Sequence, residues 1–256
     1  MAATSTPGVY INPNTNKKTF VPLENNPEVF NDLIKRLGVT SKVGFYDVYG
    51  IEPDLLSMVP RPVHALIFIS PAPVWNNVRK TYDGYDGNEK HVTYDAAGDG
   101  EPVMWFRQTI GHACGLYSLV HAVGNGSGKD YILKDSLVDR LLKQAKPLKR
   151  IERADVLYNS KELEEAHMAS AVQGDSIVPS ATEPVGFHFI TFTKGDDSHL
   201  WELEGCWDPI DRGALDESED MLSERAIELG VGKYVKLSEG NLEFSIIAMC
   251  TRPDDE

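Results

Sequence analysis

The chain has 256 residues, of which 41% are hydrophobic and 25% are charged, and its formal net charge is −14. This composition is typical of a folded globular protein and excludes a disordered, collagen-like or membrane-spanning chain. The excess of acidic residues, with no long stripe of Lys or Arg, argues against nucleic acid as a partner because the chain repels a phosphate backbone.

Cysteine usage and the first residues indicate the compartment. Cys114, Cys206 and Cys250 form neither a CxxC pair nor the even count of a disulfide framework. The first twenty residues contain no apolar signal core, and no later run reaches the roughly 18 apolar residues of a membrane span. We therefore predict a reducing compartment, the cytosol, and no contact with a membrane.

The first third of the sequence predicts a helix, a strand and a loop, in that order. NNPEVFNDLIKRLG has apolar residues at helical spacing and ends in Gly38, which is typical of a helix and its cap. VHALIFIS, residues 63–70, is an almost continuous apolar run between two prolines and predicts a buried central strand. The polar segment from Trp75 to Gly100 has no sustained period and predicts a long loop or an insertion.

QTIGHACGLYSLVHAVGNG contains a candidate nucleophile at the start of a predicted helix. Apolar residues recur at helical spacing from Leu116 to Val123, so Cys114 lies where free N–H groups stabilise a thiolate. Gln108 can donate its side-chain amide to an oxyanion. The neighbouring small residues predict room for a substrate backbone: Gly111, Ala113 and Gly115. The alternative is a buried structural cysteine in a tight turn.

The remaining segments predict a helical layer, a crossing and a last strand. Lys129 to Ala145 and the following RIERADVLYNSKELEEA are predicted helices that cover the sheet. The segment from His167 to Gly186 shows neither the helical nor the strand period in its apolar residues, which predicts a mobile crossing on the surface. SEDMLSERAIELG predicts a helix, and LEFSIIAMC a closing buried strand. Without a repeat or a linker, one α/β or α+β domain over residues 1–256 is the simplest interpretation.

A predicted hairpin contains the candidate base and acid. GFHFITFT and HLWELEG alternate around KGDDS, and His188 lies in the first strand, where an unpaired imidazole is costly to bury. Symmetry about Asp196 places Glu204 directly opposite His188. Asp208 is the competing acid, but it lies roughly 13 Å further along an extended strand. A surface pair of His and Glu without a catalytic role is the alternative interpretation.

The other histidines do not form a recognisable site in the sequence. His112 is too close to Cys114 in sequence to align well for proton transfer, so a role in the loop is preferred. His121 falls inside the predicted helix and is interpreted as a packing residue. The rest have no ligand spacing with each other or with cysteine, so no metal or cofactor is predicted: His64, His91, His167 and His199.

Taken together, these segments resemble the ubiquitin carboxyl-terminal hydrolases, a papain-like family of cysteine deubiquitinases. The similarity runs from Val21 to Cys250 through VPLENNPEVFNDLIKRLG, FYDVYGIEPDLLSMVPRPVHALIF, QTIGHACGLYSLVHAVGNG, FHFITFT and LWELEGCWDPIDRG. The resemblance implies an α+β fold with a central antiparallel sheet flanked by helices, and a knotted backbone. It also implies a nucleophile, an oxyanion donor, a general base and an orienting acid, which are Cys114, Gln108, His188 and Glu204.

The resemblance further implies a crossover loop at about residues 160–186, above the active site, which limits what can be attached to ubiquitin. Two positions depart from the family pattern. Glu204 stands where the family normally has Asp, and His112 stands two residues before the nucleophile, where Asn is usual. Glu can orient a His in a triad, so we expect modestly lowered activity rather than its loss.

The implied function is hydrolysis of ester, thioester or amide bonds after the C-terminal glycine of ubiquitin, with release of small adducts or short flexible extensions. The expected partner is the basic C-terminal tail of ubiquitin, and the protein is expected to act as a monomer. Two alternatives stay open. One is a ubiquitin-binding module in which Glu204 fails to orient His188, and the other is a thiol hydrolase of another ubiquitin-like modifier.

Overall fold

A six-stranded antiparallel sheet forms the centre of the structure, a computed structural model that describes residues 6–87, 91–175 and 186–253. Its strands are, in spatial order, β3 (Val43–Asp47), β8 (Ser245–Thr251), β4 (Val63–Pro71), β5 (Phe187–Lys194), β6 (His199–Glu204) and β7 (Trp207–Ala214). The predicted central strand β4 and closing strand β8 are confirmed. Two short strands, β1 (Tyr10–Ile11) and β2 (Lys18–Thr19), pair separately.

Helices cover both faces of this sheet, which confirms the predicted α+β fold with a central antiparallel sheet flanked by helices. One face carries α1 (Pro27–Leu37), α4 (Cys114–Gly124), α5 (Leu137–Ala145), α6 (Arg150–Asn159) and α7 (Lys161–Ala171). The other carries α3 (Ala72–Tyr82), α8 (Glu224–Leu229) and α9 (Val231–Lys236), while α2 (Pro53–Leu56) is a single turn. Alternate side chains of β4 join the two cores, because successive residues of a strand point to opposite faces.

Helix α1 has both of its expected ends, whereas α4 has the expected start but ends at Gly124 before Asn125 in an extended conformation, not before a left-handed glycine. Asn26 accepts a hydrogen bond from the N–H of Glu28 at the start of α1, and Gly38 ends it in the left-handed region with φ 88°. In α4 every residue from Gly115 to Gly124 is buried, so this helix lies inside the protein and packs against β5. Its first residue is Cys114, as predicted.

Three segment predictions are wrong in their extent. The expected loop after Trp75 is helical up to Tyr82, because apolar residues on α3 face the core and outweigh the polar composition. The predicted helix from Lys129 begins only at Leu137, after a 3₁₀ turn and the capping hydroxyl of Ser136. The expected crossing from His167 starts inside α7, whose end is buried. Residues 176–185 of the predicted crossover loop lie outside the described residues.

The hairpin of β5 and β6 is confirmed, but its predicted register is wrong by two residues. Thr191 pairs with Leu203, so that Ile190 rather than His188 corresponds to Glu204. The reason lies in the turn, where Ser198 adopts the left-handed conformation with φ 63° and makes a three-residue loop. A shift of two residues keeps both side chains on the same face of the sheet.

Candidate active site

Cys114 lies at the N-terminal end of the buried helix α4, close to strand β5. Its side chain is half-buried, and the N–H groups of Gly115, Phe189 and Cys114 itself donate towards the sulfur. Burial raises the pKa of the Cys114 thiol to about 11, and the negative charge of Glu204 adds to this effect, whereas the three N–H groups oppose it. The resting thiol is therefore protonated at neutral pH, and attack on a carbonyl requires a base.

The contact with Phe189 brings Cys114 beside the backbone of the predicted base, since His188 is the preceding residue of β5. The His188 Nδ1 atom lies 3.6 Å from Oε2 of Glu204, at the end of β6. This separation is longer than a hydrogen bond, so the two groups face each other as an ion pair when the imidazole is protonated. Catalytic hydrogen bonds are often long without substrate and shorten when it binds.

Two donors hold the other oxygen of the buried Glu204 carboxylate. The indole N–H of Trp75 and the Nη2 group of Arg79 each donate to Oε1 at 2.7 Å. Burial alone would raise the pKa of Glu204, but the guanidinium of Arg79 and then the imidazole of His188 outweigh it and lower the pKa. The carboxylate is therefore ionised at neutral pH.

Arg79 belongs to a buried cluster of charges that connects α3 with β6 and β7. It donates to Oε1 of Glu202 at 2.5 Å and to Oδ2 of Asp83 at 2.9 Å. Arg212 binds the same two carboxylates, at 2.7 and 2.6 Å. Each acid therefore has a cationic partner without access to water, which fixes the position of Arg79 beside Glu204.

The oxyanion candidate Gln108 lies in the loop before α4 and contacts the strand of the acid. Its backbone N–H donates to the carbonyl of Gly205 at 2.8 Å. Its side-chain amide donates one N–H to the carbonyl of Ile110 at 2.9 Å. An amide nitrogen carries two hydrogens, and among the described residues only one of them has a partner, so the second N–H can serve a substrate oxygen.

Asp208, the competing acid, is bound elsewhere. Its carboxylate accepts hydrogen bonds from the N–H and hydroxyl groups of Thr93 and from the N–H of Tyr94, at 2.6 to 2.9 Å. Asp208 therefore fixes the loop at residues 91–94. The structure brings Glu204 and not Asp208 to His188.

Part of the space beside the small residues around Cys114 is taken by the N-terminal segment of the same chain. A Cβ atom on Gly111 would lie 2.6 Å from Oγ1 of Thr19, and one on Gly115 would lie 3.2 Å from Cβ of Leu23. Ala113 is fully buried. These residues are small because the N-terminal segment of the same chain packs against the loop.

The other histidines have structural surroundings. His112 lies in the loop with φ 54°, and His121 accepts the N–H of Phe106 inside the core, where burial lowers the pKa of its imidazole to about 3. His167 binds the carbonyl of Val21. Across residues 6–87, 91–175 and 186–253, no three His, Cys, Asp or Glu side chains form a group that could hold a metal ion. No helix in these ranges is long and apolar enough to span a membrane.

Three residues that support the site were not predicted from the sequence: Trp75, Arg79 and Gly205. Trp75 and Arg79 fall in the segment that was predicted to be a loop. They are four residues apart, so in a helix they share one face with apolar residues, and this pattern indicates an arginine buried in the core. Gly205 directly follows the acid, and its lack of a side chain allows the backbone of Gln108 to approach. That contact depends on the tertiary structure and leaves no local signal.

Comparison with known proteins gives consistent matches over most of the chain. Residues 20–235 match the model of a family described as ubiquitin carboxyl-terminal hydrolase, family 1. The chain is 32% identical to ubiquitin carboxyl-terminal hydrolase 3 of Arabidopsis thaliana, with 93% of this chain and 97% of that protein covered. It is also 32% identical to the human isozyme L1, with 90% and 97% covered.

The fold matches a solved structure. The catalytic domain of Trichinella spiralis UCH37, in a crystal structure bound to ubiquitin vinyl methyl ester, superposes with a TM-score of 0.67 at 20% identity. The match covers 91% of this chain and 95% of that one. At this identity the comparison shows a shared papain-like fold.

Proposed function

Since this chain belongs to family 1 of the ubiquitin carboxyl-terminal hydrolases and is a cysteine-type ubiquitin hydrolase, we propose that it cleaves ester, thioester and amide bonds, isopeptide bonds included, after the C-terminal glycine of ubiquitin. Its products are ubiquitin and small adducts or short flexible extensions. One observation carries this proposal: the thiol of Cys114 lies against the N–H of Phe189, next to His188, which faces the buried Glu204.

In the proposed mechanism Cys114 attacks the carbonyl carbon of the terminal glycine while His188 accepts the thiol proton. The side-chain N–H of Gln108 and the backbone N–H of Cys114 stabilise the oxyanion. The intermediate collapses when His188 returns the proton to the leaving group, which produces an acyl-enzyme. Water, deprotonated by His188, then releases ubiquitin. Glu204 orients the imidazole and stabilises its charge.

The electrostatic properties of the site support these roles. The thiol pKa of about 11 makes transfer of its proton to a base necessary at neutral pH. The lowered pKa of Glu204 keeps this acid negative, so it attracts the imidazolium that forms. In this proposal the distance of 3.6 Å between Nδ1 of His188 and Oε2 of Glu204 shortens when ubiquitin binds. We expect slow turnover of any substrate whose binding does not shorten it.

The charge of the whole chain supports a basic partner. A net charge of −14 attracts the basic C-terminal tail of ubiquitin, mainly by raising the association rate. We expect kcat/KM to fall as ionic strength rises. The protein acts as a cytosolic monomer with a single catalytic domain over residues 1–256, in which a crossover segment within 160–186 limits the size of the leaving group.

Hydrolysis of a fluorogenic amide at the C-terminus of ubiquitin tests the proposal. We expect turnover by the wild type and none by Cys114→Ala. Competition by free ubiquitin and by other ubiquitin-like modifiers tests the identity of the substrate, and stronger competition by another modifier would favour that modifier. The gap between His188 and Glu204 favours one alternative, a ubiquitin-binding module, which would bind ubiquitin without turnover.

A further inference from the structure

Trp75 on α3 contacts both the proposed base and the proposed acid. Its indole ring lies over the imidazole of His188, with centroids 4.5 Å apart and planes 11° apart. Its N–H donates to Oε1 of Glu204 at 2.7 Å. Among the described residues, it is the tryptophan whose side chain makes both contacts.

The hydrogen bond fixes which carboxylate oxygen faces the imidazole. With Trp75 and Arg79 both donating to Oε1, the carboxylate of Glu204 cannot rotate without losing two bonds to a charged group. Oε2 is left directed towards His188. The indole of Trp75 therefore sets the orientation of the Glu204 carboxylate by binding Oε1, the oxygen that does not face His188.

The stacking fixes the plane of the base. Parallel rings at this distance restrict rotation of the His188 side chain, and the indole face attracts the imidazolium that forms during the reaction. Trp75 is itself held on its edges by Trp207 and Tyr85, at 5.5 and 6.2 Å between ring centroids. Trp75 is only 8% exposed, so the indole itself is largely shielded from water.

We propose that Trp75 is a positioning residue of the hydrolase site, one that holds the plane of the His188 ring and the Oε2 atom of Glu204 in the arrangement needed for proton transfer. This inference rests on the proposed function of Cys114, His188 and Glu204. It assigns a role to α3, a helix that carries none of the four proposed catalytic residues.

Loss of the indole N–H changes the pH dependence through Glu204. The titratable groups that interact with this carboxylate come from several elements: Arg79, His188, His121, Tyr234, Cys114 and Cys206. A hydrogen bond to a carboxylate favours its charged form, so removal of this donor raises the pKa of Glu204 towards its usual value. We expect the acidic limb of kcat/KM to move to higher pH by about one unit.

Three variants separate the contributions of the ring from those of its N–H. Trp75→Phe keeps an aromatic face and removes the donor, whereas Trp75→Leu removes both. Trp201→Phe is the matched control, because the indole of Trp201 also donates to a carboxylate, that of Asp197 at 3.0 Å, on the turn side of the hairpin. For Trp75→Phe we expect kcat to fall about tenfold with KM unchanged, and Trp75→Leu to lose more. Trp201→Phe should retain wild-type kinetics.

Two measurements need no ubiquitin, so they separate failure of this inference from failure of the proposed function. In a Cys206→Ser background, with Cys250 buried, iodoacetamide should alkylate Cys114 more slowly at neutral pH in Trp75→Phe than in Trp201→Phe. In the folded wild type, the ring protons of His188, assigned by their absence in His188→Gln, should be shifted upfield by the indole.

Several results would overturn the inference. One is a set of ordinary chemical shifts for the His188 ring protons in the wild type. The others concern Trp75→Phe: an unchanged kcat and pH profile, a loss of kcat/KM that comes from KM alone, or a gain in activity. A gain would mean that Trp75 holds the imidazole away from Cys114. An inactive wild type that still shows the alkylation difference would overturn the proposed ubiquitin hydrolysis and retain Trp75 as the residue that positions His188.

Discussion

Gly205 and Gln108 lie in direct backbone contact: the N–H of Gln108 donates to the carbonyl of Gly205 at 2.8 Å, and a Cβ on Gly205 would lie 2.3 Å from Cβ of Gln108. This contact joins the loop of the oxyanion candidate to the residue that follows the acid. The indole N–H of Trp105 holds the same turn by donating to the carbonyl of Glu204 at 2.6 Å. The two halves of the proposed site are thereby fixed to each other.

We predict that Gly205→Ala lowers kcat at least about tenfold, because the added methyl group forces Gln108 away from its position and overpacking of this kind costs about 1–3 kcal/mol. Steady-state hydrolysis of a ubiquitin amide measures the effect. Gly100→Ala is the control, since no atom of the described residues lies within 4 Å of a Cβ at that position. Equal activities of the two variants would show that the contact with Gln108 is dispensable.

The identity of the acid predicts a difference between two isosteric variants. Glu204→Gln should lose at least about tenfold in kcat, because the amide no longer stabilises the imidazolium of His188. Asp208→Asn should stay near the wild type, since Asp208 binds the loop at Thr93 and Tyr94. Rates are compared at equal concentrations of folded protein. Greater loss in Asp208→Asn would contradict the assignment of Glu204.

The buried charge cluster predicts a stability effect at Glu202. Burial alone would raise its pKa, but Arg212 and Arg79 outweigh burial and lower it to about 2. Glu202→Gln should lower the free energy of unfolding by about 3–5 kcal/mol, because both guanidinium groups lose a buried partner. Urea unfolding at neutral pH measures the change. Glu162→Gln, at an exposed pair with Arg140, should show none.

The same pKa defines a pH window. A depressed carboxyl pKa contributes stability that is complete above the unfolded value of 4.5 and is lost as the pH falls towards about 2. The stability difference between the wild type and Glu202→Gln should therefore shrink as the pH falls through this range. A difference that stays constant there would show that Glu202 is not ionised in the folded protein.

The high thiol pKa predicts how Cys114 reacts without its base. In His188→Gln with Cys206→Ser, the rate of iodoacetamide alkylation should rise with pH up to about 11, as for a buried thiol without a proton acceptor. With His188 present, the rate at neutral pH should be at least about tenfold higher. Matching pH profiles would show that His188 does not act on Cys114.

The sequence was sufficient where local pattern decides the structure. Apolar spacing predicted α1 and α4, caps supported α1, and a continuous apolar run predicted β4. It was insufficient where tertiary contacts decide. The polar residues around Arg79 predicted a loop, but the buried acids Glu202 and Glu204 stabilise a helix there.

The hairpin brings His188 and Glu204 together although its register differs by two residues from the predicted one. The left-handed residue Ser198 moves the pairing by two, an outcome that composition does not determine. Glu204 and His188 still share a face because side chains of a strand alternate with a period of two. Trp75 was missed because its contacts come from α3, a helix distant in sequence from both partners.

The most direct test of the account is labelling with ubiquitin that carries an electrophile at its C-terminus, followed by mass spectrometry of the modified peptide. We predict one adduct on Cys114 in the wild type and in Cys206→Ala, none in Cys114→Ala, and slow labelling in His188→Gln. Adduct formation on Cys206, or undiminished labelling of Cys114→Ala, would contradict the assignment of Cys114 as the nucleophile.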